Sequence, residues 1–182
     1  MLSFVADKIR YDEVNFLHRK SDAPPHIHLF GKMVHTLAQR YHRSFHTDQG
    51  GEFVNGDLEA YIEEKRITQK QTTSYSPESN DIAERCTQTL SAIAPPAHEH
   101  APPSLWAEAN NWACYIKNGL PHSALNRITP YKALYNVKPY ISYLRPSYTE
   151  CYAHNDQEQR PSGYKLELRS IKGRLVGYTP SW

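Results

Sequence analysis

Apolar positions along this chain follow two periods. Leu2, Phe4 and Val5, then Val14, Phe16 and Leu17, form short apolar and aromatic runs joined by a polar turn, which predicts strands over 2–5 and 14–17. Pro24 and Pro25 come next and suit the first turn of a helix, where their missing N–H groups are not needed. Ile27, Phe30, Met33, Val34, Leu37 and Ala38 then recur at spacings of three and four, which places them on one helical face. Tyr41, Arg43, Phe45 and Thr47 alternate with His42, Ser44 and His46, the period of a strand ending at Asp48. That strand is polar for the centre of a sheet.

Gln49-Gly50-Gly51 breaks the pattern. A second helix follows with Leu58, Tyr61 and Ile62 on one face and Asn55 or Asp57 as its cap. Residues 67–73 predict a short strand and 74–80 a loop around Pro77. A third helix is predicted over 81–93, with Ile82, Ala83, Leu90 and Ile93 apolar. Four prolines make 94–103 a linker. Ser104 is expected to cap a helix whose stripe is Leu105, Ala109, Trp112, Ala113 and Ile116, and which Gly119 and Pro121 end. Beyond Pro121 the prolines continue and the chain reads as loop-rich, with one or two short strands over 170–178. Strands alternating with helices, with no internal repeat, give an α/β fold.

Composition narrows this only a little. Hydrophobic residues make up 39% and charged residues 22%, polar for a globular chain but not the profile of a disordered one. The net charge of +2 is too small to argue for nucleic acid. Its distribution is more telling. No acidic residue lies between Glu108 and Glu150, while Lys117, Arg127, Lys132, Lys138 and Arg145 do, interleaved with Trp112 and six tyrosines. This pattern suits phosphate contact and base stacking, or equally a solvated basic face over a small aromatic core. Cys86, Cys114 and Cys151 are far apart and odd in number, so neither a disulfide framework nor a zinc knuckle is indicated, and a reducing, intracellular setting fits. The ten histidines include close pairs, but none has a second Cys or His pair at zinc spacing. There is no apolar run of membrane length and no signal peptide.

The chemistry-bearing candidates are Asp48, where a strand meets a Gly-Gly turn, and Glu84, in the first turn of a helix. They are separated by 35 residues. Two carboxylates brought together repel each other unless a cation lies between them, and Mg²⁺ takes hard oxygen ligands of this kind. Among nineteen acidic residues such a spacing is weak evidence on its own. The neighbouring residues carry more. Thr47-Asp48-Gln49-Gly50-Gly51-Glu52-Phe53, Tyr75-Ser76-Pro77-Glu78-Ser79-Asn80 and Ala83-Glu84-Arg85 closely resemble the integrase core of copia-type retrotransposons. Ser104-Leu105-Trp106-Ala107-Glu108-Ala109, Leu120-Pro121-His122-Ser123-Ala124-Leu125 and Thr129-Pro130-Tyr131 resemble it further, in the same order. Leu134-Tyr135, Lys138-Pro139, Leu144-Arg145 and Gly177-Tyr178 extend the likeness almost to the end.

That resemblance implies a ribonuclease-H-like integrase core, a mixed sheet flanked by helices, over residues 1–120. It also implies a C-terminal extension over 121–182, loop-rich with short strands. The implied activity is Mg²⁺- or Mn²⁺-dependent trimming and joining of DNA ends, with Asp48 and Glu84 as the second and third carboxylates of a catalytic and metal-binding triad. Retrotransposon ends and target DNA are the implied partners, with Lys117, Arg127, Lys132, Lys138 and Arg145 as nucleic-acid contacts. The implied setting is the nucleus or cytoplasmic particles, and the family acts as a multimer. Ser3-Phe4-Val5 resembles the family's second strand, so the first strand and its catalytic Asp are expected to be missing from an N-terminally truncated chain. Impaired activity follows from that expectation. The alternative is an inactive relic that retains nucleic-acid binding. Asp7 and Asp12 read as solvated turn carboxylates rather than substitutes. Asp81 stands where the family has Gly, either adding charge beside the metal or capping the helix.

Overall fold

The computed structural model describes residues 1–38, 44–47, 56–71, 81–97, 102–154 and 170–178. Strands β1 (Leu2–Ala6) and β2 (Tyr11–Asn15) pair antiparallel, with Phe4 opposite Glu13 and Val5 opposite Asp12. Arg10 closes the turn between them at φ 54°, and its N–H donates to the Ala6 carbonyl at 2.7 Å. Helix α1 (Ala23–Ala38) follows a single 3-10 turn, and Pro24 and Pro25 stand in its first turn. Strand β3 (Ser44–Thr47), helix α2 (Gly56–Glu64) and strand β4 (Thr68–Gln71) form a crossover unit in which β3 and β4 run parallel. Helices α3 (Asp81–Ala97), α4 (Trp106–Gly119) and α5 (Pro130–Tyr135) come next, then an antiparallel pair, β5 (Glu150–His154) with β6 (Ser170–Arg174).

Alternation along β1 and β2 sorts side chains onto two faces, and a separate core covers each. Phe4 joins Ala23 and Ile27 of α1, Leu58 and Tyr61 of α2, and Ile67, with Phe45 of β3 packed against them. Val14 joins Cys86, Leu90 and Ala94 of α3 and Ala109, Trp112, Ala113 and Cys114 of α4. The strands thus lie between an α1–α2 layer and an α3–α4 layer. Leu58 and Leu90 are fully buried, one in each core, each contributing about 1.5–3 kcal/mol of transfer free energy.

Among the described residues no ladder joins β1–β2 to β3–β4. The expected mixed sheet is present as two separate pairs over a shared helix layer. This accounts for the polar sequence of the third strand: Thr47 is buried and Phe45 half-buried, whereas His46 is exposed.

Several boundaries differ from the expectations. The second strand begins at Tyr11, three residues early, because Asp12 is held in it. Far from being a solvated turn carboxylate, Asp12 is 1% exposed. Asp57 lies inside α2, and Asn55 is outside the described residues. Helix α3 runs through Pro95 and Pro96 to Ala97, where a linker was expected; burial of Ala94 against α4 draws the last turn into the helix. Asp81 is the first helical residue of α3. Ser104 sits in a 3-10 turn, and Leu105 takes the cap position of α4 without a side-chain bond. Helix α5 was not expected. Thr129 caps it through Oγ1, which accepts from the Lys132 N–H at 3.0 Å; Pro130 opens it, and Asn136, left-handed at φ 58°, ends it.

Candidate functional site

Glu84 stands on the first turn of α3, exposed to solvent. Strand β3 is described to Thr47, and Asp48 lies outside the described residues, as do the Gly50-Gly51 turn and the 75–80 loop. Among the described residues no three His, Cys, Asp or Glu side chains cluster. Glu84 has the donor chemistry a hard divalent cation takes, a carboxylate open to solvent, so the described part of the candidate centre fits such an ion.

The five basic residues do not behave as one group. Arg127, Lys132, Lys138 and Arg145 are exposed. Lys117 turns inward from α4 and pairs with the buried carboxylate of Asp12; its Nζ also lies 3.7 Å from Cys86 Sγ. Burial and the nearby Arg10 guanidinium pull the Lys117 ammonium down, to about 8, and contact with the Asp12 carboxylate works the other way. The next residue, Asn118, clasps the Asp12 backbone. The Asp12 N–H donates to Asn118 Oδ1 at 3.0 Å, and Asn118 Nδ2 donates to the Asp12 carbonyl at 2.7 Å. Its carboxamide fills the hydrogen-bonding place of a neighbouring strand, which closes that edge of β2 to further pairing.

The interleaved aromatics chiefly stack on one another. Trp112, Tyr115 and Tyr131 are buried. Tyr115 lies over Tyr178 at 5.0 Å, Tyr131 packs on Tyr135 at 4.6 Å, and Tyr135 meets Tyr11 edge-on at 6.0 Å. The Tyr178 hydroxyl accepts from the Arg145 N–H at 2.6 Å, and the Tyr115 and Tyr143 hydroxyls are hydrogen-bonded to each other. This stack ties Tyr143, Arg145 and Tyr178 to α4. Within the run, Tyr140 and Tyr143 present the more exposed rings, at 70% and 37%.

A cavity of about 440 Å³ opens beside the Asp12–Lys117 pair. Arg10, Asp12, Arg85, Lys117 and His122 line it, with Val5, Ile82 and Cys86. Sequence reasoning did not find Arg10, Arg85 and His122 as a group. Only Arg85 carried a signal, its position three residues after Ile82 and four before Thr89 on one face of α3. Arg10 and His122 meet only through the packing of α4 against β2.

The fold defines a class. It matches the catalytic core domain of HTLV-2 integrase, solved in complex with magnesium in a trimeric form, at a TM-score of 0.53 over 72% of this chain and 82% of that one, with 14% identity. The architecture is therefore that of a ribonuclease-H-like integrase core. The sequence narrows it. The chain is 28% identical to the retrovirus-related Pol polyprotein from transposon TNT 1-94 of Nicotiana tabacum. It is 27% identical to the corresponding polyproteins from transposons RE2 and RE1 of Arabidopsis thaliana. Each match covers 97% of the chain, so the copia-type retrotransposon resemblance read from the motifs holds over nearly its whole length. The chain spans only 13% of the tobacco polyprotein and 12% of each Arabidopsis one. No protein-family model matches it. Among the described residues no helix is long and apolar enough to cross a membrane.

Proposed function

We propose that this chain is the catalytic-core portion of a copia-type integrase, a nuclear polynucleotidyl transferase that trims retrotransposon ends and joins them to target DNA. We assign the core to residues 1–120 and an appended extension to 121–182, with α5 packed back onto the core. Asp48 and Glu84 are the carboxylates assigned to catalysis and to Mg²⁺ or Mn²⁺. When bound, such ions activate the attacking oxygen and stabilise the leaving one. The chain's own part is to hold the two carboxylates near each other, Glu84 by the rigid first turn of α3. The observation that carries this reading is an exposed Glu84, within its family motif, on the first turn of a helix in an integrase-core fold.

The same reading holds that the 182-residue chain alone is impaired. Among the described residues no ladder joins β1–β2 to β3–β4, which supports this reading. A joining assay on donor-end DNA with Mn²⁺ tests it. Little or no product is expected, and robust product abolished by Glu84→Gln would overturn the impairment. The exposure of Arg127, Lys132, Lys138 and Arg145 favours a second reading, retained nucleic-acid binding without joining. That reading requires salt-sensitive binding of duplex DNA that weakens when these four are replaced by Gln.

A further inference from the structure

We propose that the cavity between β2, α3 and the 122–124 turn binds a phosphate group. Arg10, Arg85 and Lys117 bring three cationic side chains to its wall, and His122 brings an imidazole. Nδ1 of His122 accepts the Ala124 N–H at 3.1 Å, so Nε2 is the nitrogen that keeps its hydrogen and can donate.

Two acidic groups stand close to these cations, and Asp12 itself lines the cavity. Asp12 is buried beneath Lys117 and offsets that one cation. Asp7 meets Arg10 at 2.9 Å, but its side chain is 71% exposed, so the pair is weak and screened. The cations also disfavour one another. Beyond the larger effect of burial, Arg10 lowers both Lys117 and His122, and Lys117 lowers His122. A bound dianion relieves that repulsion, and two guanidinium forks are suited to its oxygens. Ile82, Arg85, Cys86 and Thr89 form one stripe of α3, spaced three and four apart, and Glu84 falls outside it. The site is thus distinct from the carboxylates assigned above and does not depend on that assignment.

The phosphate can come from a free polyphosphate or from a nucleic-acid backbone. The test is calorimetry on the full chain with pyrophosphate, followed by competition with an oligothymidylate single strand. Saturable pyrophosphate binding is expected, weakened about tenfold or more by Arg85→Gln and by Arg10→Asn, a residue that accepts positive φ. Lys172→Gln, an exposed position on β6 outside the cavity, should leave it unchanged. Displacement of pyrophosphate by the oligonucleotide identifies the backbone as the source, and failure to displace identifies the free anion. Absence of pyrophosphate binding overturns the proposal. So does binding that Arg85→Gln and Arg10→Asn leave intact while circular dichroism shows both variants folded.

Discussion

Replacing Lys117 with Met keeps the apolar stem of the side chain and removes its charge. The Asp12 side chain is 0% exposed and the Lys117 side chain 14%, so the substitution strands a carboxylate where water does not reach it. Breaking a buried pair in this way costs about 3–5 kcal/mol, far above the 0–1 kcal/mol of a surface pair. Asp12→Leu should cost less, about 1–3 kcal/mol, because the ammonium it leaves lines an open cavity and can hydrate. The double variant should return to within about 1 kcal/mol of the parent, since an apolar pair of similar volume often matches a buried ionic one. Urea unfolding followed by Trp fluorescence supplies the four corners of the cycle, with unchanged m-values as the check on two-state behaviour. The Lys117→Met loss should also depend on pH. A stranded Asp12 titrates above the unfolded value of about 3.9, so the native state keeps a proton that the unfolded chain has lost. Stability of the variant then falls as pH rises through that window, by up to about 1.4 kcal/mol per unit. A Lys117→Met loss below about 1 kcal/mol, or additive single substitutions, would refute a buried, coupled pair.

Asn118→Leu should destabilise by about 1–3 kcal/mol, since it orphans the buried Asp12 N–H and leaves the Asp12 carbonyl only the Cys114 thiol; thermal unfolding measures this, and a neutral result would remove the edge-closing role. Burial holds the Cys86 and Cys114 thiols up, each to about 12, so iodoacetamide at neutral pH should modify half-buried Cys151 first, as read by peptide mass. Burial and its basic neighbours hold His122 below its ordinary value, so the unfolded chain takes up that proton first as pH falls. Stability should therefore drop as pH goes below about 6.5, and denaturation of His122→Gln should show a shallower drop.

The resemblance of this chain to copia-type integrases was legible in its sequence because it resides in short local strings. Thr47-Asp48-Gln49-Gly50-Gly51 and Ala83-Glu84-Arg85 need no fold to be read, and the fold and the polyprotein matches agree with them. Helices α1 to α4 were legible for a related reason: an apolar face repeats every three to four residues whatever it packs against. Helix α5 announced itself only through Thr129-Pro130 and Asn136, signals of its ends rather than of a face, and so read as loop. What the sequence could not convey is the partner of each polar group. Asp12 reads as a turn carboxylate until Lys117 and Asn118 arrive from more than a hundred residues away. The tyrosines read either as stacking surfaces for bases or as a small aromatic core, and only their contacts with one another decide for the core. Local periodicity decides which face of an element is buried. Only the tertiary structure decides which charge meets which, because the pairing energy depends on a distance and a burial that no short window of sequence contains.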